Sequence, residues 1–304
     1  MMTSIGPLFD INQLNEAQQK QFQFVYNELK PQYTSYLEYK LSLPLKTQVN
    51  KEEEENEWNY ELHRFLRARK WNVEHTIKAL EEMLQWRRDN QVDLVLEEEV
   101  TLQRATLLQK ILPYMNHGYT KVDRPLYMEK SGIICVDKIL SEFTTEQLLR
   151  HHVYWLELNC QRARERSRQI GKHIESFTIV SDLHGCNMEI RKIFPPFKQS
   201  LYIDNNYYPE RLGQMIFINP PTVFPILWNL VKPWLDPVTK SKIVVIKKGP
   251  EATNTLLQYI DVEHLPVEYG GNCQSCPTAP NCIQVYNWNK EDTKEKSKKI
   301  DLIL

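Results

Sequence analysis

Three thiols lie close together late in the chain, Cys273, Cys276 and Cys282, in a C-x2-C-x5-C pattern. Thiolates at this spacing could hold zinc if a fourth ligand such as His264 came into range. The second C-x-x-C of the common zinc modules is missing, a loop of free thiols explains the pattern more simply, and no metal is expected. The histidine pair His151-His152 falls on a helical stretch with no ligand or catalytic spacing. Arg64, Arg67, Arg69 and Lys70 crowd the end of a helical segment, where positive charge complements the helix dipole. The run Arg162–Arg168 (RARERSR) reads as a solvated helix face. No nucleophile is framed by partners: H-E-x-x-H, G-x-S-x-G and H-x-E followed by P-C-x-x-C are all absent. The nine glycines include no G-x-G, so neither a dinucleotide fingerprint nor a kinase phosphate loop can form. The residue inventory points to a binding protein and not to an enzyme.

The most unusual segment is apolar. Val223, Phe224, Ile226, Leu227, Trp228, Leu230 and Val231 leave almost no polar face on a short helix, between Pro220, Pro221 and Pro233 with Pro225 inside it. Such a helix is either buried on all sides or is a lid that covers an apolar ligand and meets a membrane, with Phe224 and Trp228 suited to the interface. Met215 to Val231 is too short and too interrupted to span a bilayer.

The elements that must position these residues read as two layers. Asn72 can cap a helix carrying Val73, Ile77, Leu80 and Leu84, and Thr144 with Gln147 forms a capping box opening a helix to about Arg168. Residues 11–30 form a weak helical pattern that Pro31 ends, and Lys51–Glu57 (KEEEENE) is a linker or an exposed first turn. Leu126–Lys130 and Ile133–Val136 are strand-like. Strands at 177–180, 215–218 and 242–246 then alternate with helices at 190–203, 223–231 and 251–260. The organisation expected is an N-terminal extension and acidic linker (1–57), a helical domain (58–112), an α/β domain (113–285) and a charged tail (286–304).

The 304 residues carry 38 Lys and Arg against 39 Asp and Glu, so no overall field draws the chain to nucleic acid. Six cysteines without a charged-then-apolar leader suggest a reducing, cytoplasmic setting. Nothing in the pattern forces a dimer, and a monomer is expected.

Asn206–Gly213 (NYYPERLG), Lys232–Ile243 (KPWLDPVTKSKI) and Leu265–Gly271 (LPVEYGG) resemble signatures of the CRAL-TRIO lipid-binding domain, in particular of fungal-type phosphatidylinositol transfer proteins. Phe65–Lys70 (FLRARK) with Trp86-Arg-Arg-Asp is similar to the helical domain that precedes it. The resemblance, from about residue 60 to 271, implies an all-helical domain followed by a mixed β-sheet whose helices enclose an apolar pocket, with Val223–Val231 as its gate. A diacyl lipid has roughly 30 methylenes worth about 0.8 kcal/mol each, so carrying one through water requires near-complete enclosure.

The resemblance also implies a headgroup site at Arg69, Lys70, Glu210, Thr239 and Lys242. Cations neutralise the phosphodiester, the Thr239 hydroxyl donates, and Glu210 accepts from inositol hydroxyls. Relatives that also carry phosphatidylcholine place a serine and a threonine before a D-L-x-G motif, here Asp182–Gly185. An ungapped count puts Phe177 and Ile179 there, and a one-residue slip would put Ser176 and Thr178. The ungapped register is favoured, which weakens phosphatidylcholine binding and leaves the second ligand open. The expected activity is phosphatidylinositol transfer, or presentation to a lipid kinase, by a cytoplasmic protein acting at membrane surfaces with bound phospholipid as ligand and no cofactor. Alternatives are a carrier of a sterol or other neutral lipid and a non-transferring adaptor.

Overall fold

The computed structural model describes residues 6–46, 50–249 and 251–286. The expected charged tail, apart from its first residue, lies outside them.

Three helices form the first layer: α1 (Glu16–Ser42), α2 (Lys51–Ala68) and α3 (Val73–Asp89). Asn15, Asn50 and Asn72 each cap one of them through the side-chain oxygen. Pro31 does not end α1, contrary to its usual effect. Leu29, Tyr33, Tyr36 and Leu37 beyond and before it are buried in one core with Trp58, Leu62 and Leu80, and Tyr33 stacks on Trp58 at 4.3 Å. That tertiary burial outweighs one lost backbone hydrogen bond. The acidic run 51–57 is the start of α2, where negative charge suits the helix N-terminus, so the boundary expected at 57/58 falls inside a helix.

Helix α4 (Glu99–Ile111) leads into the second layer. A five-stranded sheet runs β1 (Tyr114–Tyr119), β2 (Pro125–Glu129), β3 (Phe177–Asp182), β4 (Leu212–Ile218) and β5 (Ile243–Ile246), in that spatial order. β1 pairs antiparallel with β2, and the remaining neighbours are parallel. Strands laid down in sequence order by crossovers of one hand place every crossover helix on one face. Accordingly α6 (Thr145–Ile170), α7 (Phe194–Tyr207) and α8 (Phe224–Val231) cover one face, and α10 (Glu251–Tyr259) with the C-terminal segment covers the other.

One expected strand needs correction, and one strand was not expected. The stretch 133–136 is not extended: a 3-10 turn over Ser131–Ile133 is followed by α5 (Val136–Glu142). Gly132 lies so close to the main chain of Leu183 and His184 that a Cβ would sit 2.2 Å from the His184 carbonyl oxygen, so this turn requires glycine. Ile134 and Cys135 are instead used against Ile111 and Ile139. Strand β1 escaped notice because YMNHGY has no apolar alternation. The helix expected at 190 begins as a 3-10 segment and becomes α7 only at Phe194. The Thr144–Gln147 capping box opens α6 as expected, and Gly171 in the left-handed region closes it.

Candidate lipid-binding site

Side chains of a strand alternate faces, so the ladder sorts the sheet residues. Thr178, Val180, Ile216 and Ile218 share the α10 face with Leu126 and Met128, and all are buried. Phe177, Ile179, Met215 and Phe217 face α6, α7 and α8 with Tyr127. On this side Phe177, Tyr127 and Ser181 are buried, while Ile179, Met215 and Phe217 remain partly accessible although the strands are central. The register places Phe177 and Ile179 on the helix-covered side and Thr178 on the opposite one. Ser176 is buried just before the strand.

Helix α8 lies over this half-filled face. Phe224 and Trp228 sit 5.7 and 6.5 Å from the Phe217 ring, centroid to centroid, and Leu227 is buried against Leu183 and Cys186. Val223 precedes the helix and packs in the same cluster. Val231 is half-buried, while Ile226 and Leu230 point to solvent, 55% and 43% exposed. The helix is therefore covered on one side only. A strap after it places Trp234 edge-on to Phe194 of α7 at 5.5 Å. A cleft of 220 Å³ opens beside Ser131, Ile134, Cys186 and Ile190, and one of 440 Å³ lies apart, between Phe9, Tyr33 and Trp58 in the helical layer.

A polar cluster stands where β4 and β5 begin. Lys242 Nζ meets Glu210 Oε2 at 2.8 Å, and both side chains are only about one-fifth exposed (21% and 23%). Glu210 is held at φ +62°, an unusual conformation for a residue with a Cβ. The short helix α9 (Pro237–Ser241) is capped by Asp236, which also accepts from the Thr239 hydroxyl at 2.5 Å. The Lys242 N–H donates to the Thr239 carbonyl at 3.1 Å. The end of α2 reaches the same region, with Arg69 Nη2 3.4 Å from the Asn205 carbonyl and Lys70 exposed beside it at φ +53°. Burial lowers the pKa of Arg69. Lys242, Glu210 and Thr239 are thus linked in succession, while Arg69 reaches Asn205 of α7 and Lys70 is exposed at the end of α2.

Residues 110–271 match the family model described as CRAL/TRIO domain, and residues 25–82 match its N-terminal domain. The chain belongs to the CRAL-TRIO family. It is 32% identical over 238 residues to the Sec14 cytosolic factor of Schizosaccharomyces pombe, covering 78% of this chain and 82% of that protein. It is 36% identical over 231 residues to the phosphatidylinositol/phosphatidylcholine transfer protein SFH9 of Arabidopsis thaliana, covering 74% of this chain but 39% of that longer relative. The crystal structure of Sfh5 superposes with a TM-score of 0.60 at 20% identity, covering 87% of this chain and 92% of Sfh5, a likeness of fold. Among the described residues no helix is long and apolar enough to cross a membrane.

Other residues of this CRAL-TRIO site gave no sequence signal. Arg64, whose place near a helix end suggested only a dipole role, is buried and donates to Glu61 and to the Pro209 carbonyl, beside the Glu210 turn. Arg211 also binds Glu61, and Arg67 binds Glu175 at 2.6 Å, holding the Glu175 carboxyl below the usual range against the opposing effect of its burial. The run 162–168 is likewise no solvated face: Arg162 donates to the Gly118 carbonyl at 2.8 Å, Arg166 to Asp123 at 3.0 Å and Arg168 to Glu53 at 2.8 Å. On the pocket side, Glu129 accepts from the hydroxyls of Tyr127 and Ser131, and burial raises its pKa. The three late thiols do converge, but on His117. His264, the ligand that spacing suggested, bonds to the Tyr119 carbonyl at 3.0 Å.

Proposed function

We propose that this chain carries phosphatidylinositol between membranes, acting in the cytoplasm as a peripheral protein. The single observation behind this reading is the half-filled apolar face of β3 and β4, which runs under α8 on strands that begin at the Lys242–Glu210 pair. Acyl chains would lie along Ile179, Met215 and Phe217. The phosphodiester would take Lys242, with Arg69 and Lys70 adding charge, and inositol hydroxyls would donate to Glu210. Thr239 would turn its hydroxyl from Asp236 to the phosphate. Transfer activity in named relatives supports the lipid class.

With Phe224 and Trp228 seated on Phe217, entry requires α8 to swing outward, and the exposed Ile226 and Leu230 give it an apolar contact with the bilayer. Phe177 and Ile179 offer no hydroxyl at the positions where phosphatidylcholine carriers place two, so that lipid should load poorly. The same apolar pair would suit a sterol as second ligand. Release to a membrane, or presentation to a lipid kinase, would complete the cycle.

The test is mass spectrometry of lipids extracted after incubation with vesicles of phosphatidylinositol, phosphatidylcholine and sterol. Phosphatidylinositol should be enriched in the wild type and reduced about tenfold or more in Lys242→Ala, in keeping with loss of a charge-assisted contact worth ~1.5–3 kcal/mol. Equal loading of a neutral lipid in both proteins would overturn the headgroup assignment.

A further inference from the structure

The sulfur atoms of Cys273, Cys276 and Cys282 and a ring nitrogen of His117 all lie within 4.8 Å of one another. Tetrahedral zinc, with Zn–S near 2.3 Å, sets its sulfur ligands about 3.8 Å apart, so a contraction of about 1 Å at the widest pair completes the geometry. Cys273, Cys282 and His117 are buried, Cys276 is half-buried, and all three cysteines are reduced. The imidazole is buried, and its Nε2 has no hydrogen-bond partner. A buried ring nitrogen left without a hydrogen-bond partner beside three thiols is the kind of group a metal ion would satisfy. A disulfide would consume two of the thiols and leave the third and the imidazole without use.

The surrounding chain is shaped to present the set. Gly270 takes a left-handed turn, and a Cβ on Gly271 would lie 1.9 Å from the Leu265 carbonyl oxygen, so only glycine allows the approach that lets Cys273 N–H donate to that carbonyl at 3.1 Å. Thr278 then donates to the Cys282 carbonyl at 2.9 Å, and Ile283 enters the core behind the sheet. All three thiols lie beyond residue 271, where the match to the CRAL/TRIO model ends, and far from Lys242 and α8 in the chain.

We propose that His117, Cys273, Cys276 and Cys282 bind one zinc ion, which fastens the C-terminal segment to the edge strand β1. Three thiolates and an imidazole, tetrahedral and mostly buried, favour zinc over the hard cations and leave no open position for catalysis. The fastening is structural and independent of lipid exchange.

The experiment is elemental analysis of the full chain purified without chelator, followed by cobalt substitution. About one zinc per chain is expected, and Co2+ should give thiolate charge-transfer and tetrahedral ligand-field absorption that saturates at one equivalent. Cys276→Ser, the most accessible ligand, should lose the bound metal while keeping its far-ultraviolet circular dichroism. If that variant does not fold, the same cobalt titration on chelator-stripped wild type gives the answer. Zinc-free protein without a cobalt–thiolate band, a disulfide within the set in freshly purified protein, or metal retained by the double variant Cys276→Ser/Cys282→Ser would each overturn the site.

Discussion

The two faces of the β3–β4 pair are made from neighbouring residues and end in different states. Val180, Ile216 and Ile218 are completely enclosed on the α10 side, while Ile179, Met215 and Phe217, each one residue away, keep partial access on the side covered by α6, α7 and α8. Residue type does not separate them, since both sets are large and apolar. What separates them is the cover: α10 packs directly on the strands, whereas α8 touches the sheet chiefly through aromatic contacts at Phe217. One face is closed by its cover, and the other keeps the partial access that the proposed exchange of an occupant would need.

The largest expected effect breaks that contrast directly. Ile216→Ala should lower unfolding free energy by about 2–5 kcal/mol in urea titration, as large-to-small changes in closed cores do. Phe217→Ala should lose less than half as much while reducing lipid loading. Equal stability losses would mean that both faces are equally packed.

A smaller effect concerns protons on the pocket side, where α6 carries His151 against the Tyr114 hydroxyl at 3.3 Å. Burial pushes the His151 pKa down to about 4, from 6.5 in the free side chain. Between those values the unfolded chain takes up a proton that the folded chain refuses, so stability present above pH 6.5 falls as pH drops toward 4. The contribution is at most about 3 kcal/mol. His151→Gln should flatten part of the slope of melting temperature against pH, with further contributions from His173, which burial also holds near 4, and from His63, whose pKa burial lowers. An unchanged slope would place the pH response elsewhere.

The smallest effect on stability is at the outer side of α8. Ile226→Asp with Leu230→Asp should change unfolding free energy by no more than ~0.5 kcal/mol per site, because both side chains already face water. Vesicle co-sedimentation and lipid exchange should nevertheless fall sharply. Normal exchange in the double variant would assign membrane contact to another surface.

The legible parts of this molecule were those whose signals are local. Caps at Asn72 and Thr144 and the strands 177–180 and 215–218 stand in the sequence because short-range chemistry dictates them. Long motifs around Glu210, Lys242 and Gly271 pointed to the family. What was hidden depended on distant partners. Pro31 continues a helix because Tyr33 finds Trp58, and the chain turns before residues 133–136 where Gly132 meets the chain at His184. Arg64 becomes a buried strut only when Pro209 arrives beside it. The histidine facing the thiols lies more than 150 positions upstream of them, on a strand too polar to stand out. Spacing could nominate only His264, because only His264 was near in sequence.

The ends of the sheet have a consequence for behaviour at high concentration. An exposed strand edge is a template on which a second molecule can add its own strand and begin a fibril. At β5 the edge is four residues long, with Lys242 before it and Lys247 and Lys248 after it, so an incoming chain finds little length to pair with and cations at both ends. At the opposite edge the cysteine-bearing loop lies beside β1, with Thr278 donating to Met115 Sδ at 3.9 Å. A protein with Ile226 and Leu230 exposed on α8 thereby keeps both sheet margins unsuited to self-association.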